Sequence, residues 1–308
     1  MNDDIIIVVG HKNPDTDSVC SAIAYAALKK SMGHNAVPAV QGNLNPESLY
    51  VLERFDVEQP EIMTSVDNAK IILVDHNEKA QSLDDINEDN IIEIIDHHKI
   101  GDIRTTNPIL FINAPIGCTA TIIYELYNYH GIAIPDNVKG LLLSAILSDT
   151  VIFKSPTCTP KDKEVALKIG EELGIDCMEL GKEQFIAKSD FQGKSKEDIL
   201  LLDSKNYEFG KGKVIVSQVE LADTNAIMED KEAYLRMMRD MMTKVNAMGF
   251  VFIVTDIIME GSVLLVVSDN PELLESAMQI KLDGGSVFVE GLMSRKKQVV
   301  PLLEKGLA

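Results

Sequence analysis

Acidic residues and histidines recur in four short patches of this chain, and three of the patches lie at the end of an apolar run. The patches are His11-Lys-Asn-Pro-Asp15-Thr-Asp17, Asp75-His76, Asp96-His97-His98 and the single residue Asp149. So many carboxylates in one place would repel each other strongly unless cations neutralised their charge. Together the patches predict a hydrolytic centre that holds two metal ions.

The apolar runs predict the elements that position these residues. Ile5–Val9, Ile71–Val74 and Ile91–Ile95 are short and β-branched, as buried parallel strands are. Residues at helical spacing follow the first run, from Asp17 to Ser31, and further helices are predicted at 117–129 and 138–147. The alternation predicts an α/β fold, a doubly wound and mostly parallel sheet with helices on both faces. Such sheets bind ligands at the carboxyl ends of their strands, so the patches should converge.

Several of these side chains also have a purely structural explanation. Asp15 and Asp17 begin a predicted helix, where an acid caps the free N–H groups and favours the helix dipole. One acid would satisfy that need, whereas two acids and a preceding histidine favour a metal site. Adjacent histidines such as His97 and His98 splay apart, so that one can bind metal while the other faces substrate. Asp149 ends an almost wholly apolar helix and therefore needs a partner.

A change of pattern near residue 190 predicts two domains. Residues 1–188 form the predicted metal-binding catalytic domain, and the polar, glycine-bearing stretch 189–197 is the predicted linker and hinge. Residues 198–308 are predicted to form a smaller α+β domain that clamps the substrate. Its signals are a strand-turn-strand around Gly210-Lys-Gly212, a long helix over 230–247 and a hairpin around Glu260-Gly261.

The composition argues against several classes of protein. The net charge of −19 over 308 residues opposes binding to nucleic acid or to an anionic membrane surface. No run approaches the roughly 20 apolar residues of a membrane span, and the N-terminus lacks the features of a signal peptide. Four scattered cysteines without a CxxC pair indicate a reducing compartment. We therefore expect a cytoplasmic protein.

Together the four patches resemble the motifs of the DHH phosphoesterase superfamily. Within it, three further segments resemble the family II inorganic pyrophosphatases, in the form without a regulatory insertion: Val74-Asp75-His76-Asn77, Phe153-Lys-Ser-Pro-Thr157 and the segment from Ser294 to Pro301. The resemblance runs over nearly the whole chain. It implies that inorganic pyrophosphate is hydrolysed to two phosphates by a metal-bridging hydroxide at a dinuclear centre, and that the protein is a homodimer.

The resemblance also implies a role for individual residues. The implied metal ligands are His11 and Asp15 for one ion, Asp17, His97 and Asp149 for the other, and Asp75 bridging both. The implied catalytic and phosphate-binding residues are His98, Lys205, Arg295 and Lys296. Oxygen and imidazole donors without thiolate favour two Mn²⁺ or Co²⁺ ions per subunit over structural zinc. Mg²⁺ would arrive with the substrate, because it keeps its waters and binds phosphate oxygens.

Other functions remain open at this point. A short-chain exopolyphosphatase or a short-oligonucleotide phosphodiesterase of the same superfamily would use the same metal site. The nuclease branch carries a Gly-Gly-Gly-His motif, whereas here Gly284-Gly285 is followed by Ser286-Val287, and the chain has no Trp for base stacking. A non-catalytic phosphate sensor is disfavoured, because it would have lost a metal ligand or a phosphate-binding cation.

Overall fold

The computed structural model describes residues 5–66, 69–188, 194–221, 224–257 and 259–308. The chain divides into two compact units, residues 1–187 and 188–308. Most of the predicted linker, residues 189–193, lies outside the described residues. The linker prediction is wrong for its last two residues, because Lys196 and Glu197 form the first turn of a helix. Ser195 is the N-cap of this helix, and its side chain accepts a hydrogen bond from the Asp198 amide N–H.

The first part of the chain alternates strands and helices. In order, it contains β1 (Ile6–Lys12), α1 (Thr16–Ser31), β2 (Ala36–Gln41), α2 (Pro46–Arg54), β3 (Glu61–Ile62), β4 (Lys70–Val74), β5 (Ile91–Asp96), β6 (Leu110–Asn113), α3 (Thr119–His130), α4 (Asp136–Asp149), α5 (Pro160–Leu173) and α6 (Cys177–Lys188). The strands form one sheet in the order β3-β2-β1-β4-β5-β6, and each neighbouring pair is parallel. The predicted α/β class and parallel sheet are confirmed.

The strand order reverses between β1 and β4. From β1 the chain winds outward through β2 and β3, then returns to β4 and winds the other way through β5 and β6. Ligand sites of open α/β sheets lie at such a switch point, beyond the carboxyl ends of the strands. The chain leaves β1 and β4 there through the patches that contain His11 and Asp75.

Helix α4 is buried on nearly every side. Leu141, Leu142, Leu143, Ile146 and Leu147 are completely inaccessible to solvent, and the helix packs against α1, α3 and α5. A helix that is apolar all round is stable only inside a protein, which explains its position between other helices. Because the helix ends at Asp149, this packing fixes where that carboxylate emerges.

The second unit is built on a mixed sheet. Its elements are α7 (Lys196–Leu201), β7 (Ser204–Phe209), β8 (Gly212–Leu221), α8 (Asn225–Met228), α9 (Lys231–Val245), β9 (Gly249–Asp256), β10 (Gly261–Ser268), α10 (Pro271–Met278), β11 (Ser286–Glu290) and α11 (Val300–Gly306). The order is β11-β10-β9-β8-β7, with β8 and β9 parallel and the other pairs antiparallel. A π-helical turn, Arg295–Val299, precedes α11. Among the described residues, no helix is long and apolar enough to cross a bilayer.

Three local features differ from the sequence prediction. Strand β1 extends to Lys12, beyond the predicted run Ile5–Val9, so His11 lies on the strand. A register shift toward β2 between Val9 and Lys12 accompanies the extension. Strand β3, at one edge of the sheet, has only two residues and both are exposed, so no apolar pattern marks it. The π-helical turn was also missed, because its cations resemble an ordinary polar surface segment.

Candidate metal centre

The acids and histidines of the four patches lie together in the first unit. Within each of three overlapping groups, the potential ligand atoms lie within 4.8 Å of one another. The groups are His11, Asp15 and Asp75; Asp17, Asp75, His97 and Asp149; and Asp75, His97 and His98. Asp75 is the member that all three share, and the first two groups match the two ligand sets that the family resemblance implies.

Asp15 caps a helix and also lies among the potential metal ligands. Its Oδ1 accepts a hydrogen bond from the Ser18 amide N–H at 2.9 Å and so caps α1. Its Oδ2 lies 3.3 Å from Nε2 of His11. The His11 ring donates from Nδ1 to the Lys12 carbonyl at 2.8 Å, which directs Nε2 toward the carboxylates. Capping therefore uses one oxygen and leaves the other available as a ligand.

Asp17 is completely buried, and both of its oxygens accept hydrogen bonds. Oδ2 accepts from the Thr119 amide N–H at 2.7 Å, and Oδ1 accepts from the Ala120 amide N–H at 3.1 Å and the Ser21 hydroxyl at 2.8 Å. Burial, followed by the negative charge of Asp75, raises the pKa of Asp17 to about 8. The start of α3 therefore orients this carboxylate, while its neighbours oppose its charge.

Asp75 occupies the centre of the cluster and is 1% exposed. Its φ of 62° places it in the left-handed region, an unfavourable conformation for a residue with a side chain. Asp75 directly follows β4, so its carboxylate lies near the carboxyl end of that strand. There Oδ1 accepts a hydrogen bond from the Thr119 hydroxyl at 3.0 Å, and Oδ2 lies 3.4 Å from His11 Nε2.

His97 has a buried ring nitrogen without a hydrogen-bond partner. Nδ1 donates to the Ile116 carbonyl at 3.0 Å, which orients the ring. Nε2 lies 3.4 Å from Asp75 Oδ1 and 3.5 Å from Asp149 Oδ2, but makes no hydrogen bond with any described residue. A buried polar atom in this state is unfavourable unless a further group occupies the space between the three side chains. A metal ion at this position would complete its coordination.

His98 lies at the more open side of the cluster, with 42% of its side chain exposed. Its Nδ1 is 3.0 Å from Oδ1 of the buried Asp96, and 3.8 Å from Asp75. Asp96 also accepts hydrogen bonds from the amide N–H groups of His97 and His98 and from the side chain of Asn77. Asp96 therefore fixes the double-histidine turn.

Without metal ions, protons balance part of the negative charge of the cluster. Burial first, then the charges of Asp17 and Asp15, raises the pKa of Asp149 well above its usual value. Burial alone would lower the pKa of His11, but Asp15 and Asp75 outweigh it and raise that pKa to about 12. The carboxylates and histidines therefore share protons, and bound metal ions would supply the positive charge that these protons supply in the metal-free chain. The donor set, oxygen and imidazole nitrogen, fits divalent ions such as Mn²⁺.

His76 takes no part in the cluster, although it directly follows Asp75. Its Nδ1 is 2.9 Å from the Val74 carbonyl, and its Nε2 is 2.9 Å from the Ser82 hydroxyl. Burial lowers the pKa of His76 to about 4, so the ring is neutral. Both nitrogens are used in holding the segment after β4, which makes His76 a structural residue.

Sequence reasoning missed two residues that support the cluster. Thr119 bonds both Asp17 and Asp75, but a threonine at the start of a helix is common and gives no signal. Asp162 is completely buried, and its Oδ2 accepts a hydrogen bond from the Gly117 amide N–H at 2.8 Å, which holds the loop whose Ile116 carbonyl orients His97. Its signal was available, because Thr159 and Asp162 form a capping box at α5.

The three proposed phosphate-binding cations of the second unit have different environments. Lys205, on β7, and Lys296, in the π-helical turn, are exposed. Arg295 is 2% exposed, and both of its terminal nitrogens donate to Asp203: one to the backbone carbonyl and the other to Oδ1 at 2.8 Å. Its Nε makes no hydrogen bond with any residue in the described ranges.

Comparisons with known proteins cover nearly the whole chain. Residues 5–146 match the DHH family N-terminal domain, and residues 182–305 match the DHHA2 domain. A protein of Archaeoglobus fulgidus, named "Probable manganese-dependent inorganic pyrophosphatase", is 47% identical over 99% of this chain and 98% of its own length. A relative of the same name from Clostridium acetobutylicum is 42% identical over 99% of both chains.

A solved structure extends the similarity to three dimensions. A Methanococcus jannaschii chain, assigned by name to the family II inorganic pyrophosphatases, is 46% identical and covers 98% of this chain with a TM-score of 0.77. An exopolyphosphatase-related protein from Bacteroides fragilis shares the fold at 17% identity and a TM-score of 0.50. Identity above 40% over the whole length distinguishes the first group from the second. The chain belongs to the manganese-dependent, family II inorganic pyrophosphatases.

Proposed function

We propose that this protein hydrolyses inorganic pyrophosphate to two phosphates at a centre of two divalent metal ions. The observation that carries the proposal is the arrangement around Asp75, whose carboxylate belongs to both implied ligand groups. Relatives named as manganese-dependent pyrophosphatases, up to 47% identical over the full length, support the same substrate and metal.

The proposed ligands follow the two groups of side chains. We assign His11 and Asp15 to one ion, Asp17, His97 and Asp149 to the other, and Asp75 to both. Mn²⁺ is the proposed resident metal, with Co²⁺ as a substitute and Mg²⁺ entering with the substrate. When bound, the two ions would lower the pKa of a water molecule and neutralise phosphate charge.

The surrounding side chains maintain the geometry of the site. Thr119 fixes the Asp75 carboxylate through its hydroxyl and the Asp17 carboxylate through its amide N–H. The carbonyl of Ile116 holds the His97 ring with Nδ1 protonated, which leaves Nε2 as the ligand. Partners of this kind keep a ligand in one orientation, and their loss commonly weakens metal affinity 10- to 100-fold.

His98 is the proposed proton donor. The Asp96 carboxylate accepts from Nδ1 of His98, which orients the ring and leaves Nε2 for a phosphate oxygen. We assign binding of the two phosphates, and stabilisation of the charge that accumulates as the bridging P–O bond breaks, to His98 together with Lys205, Arg295 and Lys296.

The remaining parts of the proposal concern the whole molecule. We propose a clamping role for residues 198–308 and a hinge in the remaining part of the predicted linker, residues 189–195, so that substrate binding closes the site. Small-angle scattering of the chain with and without a non-hydrolysable analogue tests this closure, and identical profiles would contradict it. We further propose a cytoplasmic homodimer that does not bind nucleic acid, consistent with the net charge of −19.

The direct test is phosphate release by metal-stripped protein that has been reloaded with Mn²⁺, Co²⁺, Zn²⁺ or Mg²⁺. We expect pyrophosphate to be the best substrate and Mn²⁺ or Co²⁺ the best activators. Tripolyphosphate and a dinucleotide serve as competing substrates in the same assay. Preference for either would assign the protein to the exopolyphosphatase or phosphodiesterase branch, and metal binding without any turnover would indicate a sensor.

A further inference from the structure

A buried glutamine in the second unit contacts the turn that carries Arg295 and Lys296. Gln218, on β8, is 8% exposed. Its side-chain Oε1 accepts a hydrogen bond from the Arg295 amide N–H at 2.9 Å. Its Nε2 donates to the Met293 carbonyl at 3.1 Å and to the Thr255 hydroxyl at 2.9 Å. The amide thus bonds the backbone on both sides of Ser294.

The same residue also contacts the segment that carries Lys205. The backbone N–H of Gln218 donates to the backbone carbonyl of Asp203 at 3.1 Å, and Asp203 is two residues before Lys205. The Arg295 guanidinium donates to that same carbonyl and to the Asp203 carboxylate. Gln218 and Arg295 therefore connect the beginning of β7 to the π-helical turn, and the two segments carry all three proposed phosphate-binding cations of this unit.

The other contacts of the turn show that it is held from both ends. The Gln298 side chain accepts from the amide N–H groups of Met293 and Ser294 at 2.8 and 2.9 Å. Behind Gln218, Thr255 lies 2.9 Å from the hydroxyl of Ser262, which donates to the Leu292 carbonyl at 2.6 Å. A buried polar network of this kind is favourable only when its members are satisfied, and it then specifies one backbone conformation.

We propose that Gln218 is a positioning residue for pyrophosphate binding, acting through Arg295, Lys296 and Lys205. An amide is suited to this position because it presents an acceptor to the Arg295 N–H and donors to the Met293 carbonyl at the same time. The inference rests on the proposed function, since it assumes that these cations bind the substrate phosphates. Gln218 contacts none of the proposed metal ligands, so a test of its role can be separated from a test of the metal site.

The test compares Gln218→Met with the unaltered chain. Methionine keeps the length and burial of glutamine but removes both hydrogen-bonding functions. Ser217→Ala is the matched control, because Ser217 is the adjacent buried residue and its hydroxyl has no hydrogen-bond partner among the described residues. The measurements are KM and kcat for pyrophosphate, binding of imidodiphosphate, and Mn²⁺ affinity by calorimetry.

For Gln218→Met we expect KM for pyrophosphate and the dissociation constant of imidodiphosphate to rise about tenfold, with Mn²⁺ affinity within twofold. The Ser217→Ala control should match the unaltered chain. Unchanged KM in Gln218→Met, or a parallel loss of Mn²⁺ affinity, would overturn the assignment. Absence of pyrophosphate turnover by the unaltered chain would instead reject the proposed function.

A second variant keeps the inference testable if Gln218→Met does not fold. Thr255→Val removes the hydroxyl behind the Gln218 amide but touches neither Arg295 nor Met293 through its side chain. We expect a smaller rise in KM, about threefold, and faster amide hydrogen exchange at Arg295. Unchanged KM together with unchanged exchange at Arg295 would contradict the positioning role.

Discussion

Binding of Mn²⁺ to the metal-free protein should release protons. The pKa of His11 is raised to about 12, since Asp15 and Asp75 outweigh the opposite effect of burial. The pKa of His97 is raised well above its usual value, mainly because Asp75 outweighs burial there. At pH 7–8 both rings therefore carry a proton in the metal-free chain, and each must lose it before Nε2 can bind metal.

The count of protons follows from these pKa values. His11 and His97 each contribute one, and the carboxyl groups of Asp17, whose pKa is about 8, and of Asp149, whose pKa is also raised, contribute the remainder. We expect release of about two to three protons per chain at pH 7–8. Raising the pH removes the competing protons, so the product of the two Mn²⁺ association constants should increase about 100- to 1,000-fold per pH unit in this range.

Calorimetric titration in buffers of different ionisation enthalpy measures this number. His11→Gln should lower it by about one proton, because the ring that carries the proton is absent. His76→Gln is the control, since burial lowers the pKa of His76 to about 4 and that ring has no proton to release. Release of less than one proton by the unaltered chain would refute the assignment of both histidines as ligands.

Three further predictions concern single residues. Asp75→Asn should lower bound Mn²⁺ to one ion or fewer per chain and reduce kcat by about 1,000-fold or more, measured by elemental analysis and phosphate release; two ions bound with full activity would contradict its shared position. Thr119→Val removes the hydroxyl 3.0 Å from Asp75 and should weaken Mn²⁺ binding about 10- to 100-fold in a calorimetric titration. Lys29→Met removes the ammonium partner, at 2.6 Å, of the half-buried Glu93 carboxylate, which keeps its hydrogen bond from the Tyr25 hydroxyl. It should lower the free energy of unfolding in urea by about 1–3 kcal/mol without changing Mn²⁺ affinity. An unfolding curve identical to that of the unaltered chain would contradict the last prediction.

Much of the metal-binding unit was predictable from the sequence because its signals are local. Apolar runs such as Ile91–Ile95 define buried strands, and the acid or histidine after each run lies at the carboxyl edge of a parallel sheet. Strand order is not local, yet the two-sided winding from β1 and β4 brings His11 and Asp75 to the switch point. Topology then accounts for a convergence that spacing alone only suggests.

The residues that escaped prediction act through contacts distant in sequence. The Thr119 amide N–H reaches Asp17 across more than 100 positions, and nothing in the neighbourhood of either residue indicates the bond. Gln218 is similar, because its partner Arg295 is 77 residues away. The burial of Arg295 was not predicted either, because only the folded unit shows its ion pair with Asp203, 92 residues away.

The central claim is that two metal ions and this set of ligands together hydrolyse pyrophosphate. Titrating Mn²⁺ into metal-free protein while following phosphate release from pyrophosphate tests it most directly. We expect activity to rise to a plateau at two Mn²⁺ per chain and to remain low at one. A plateau at one ion, or turnover that does not depend on added metal, would contradict the claim.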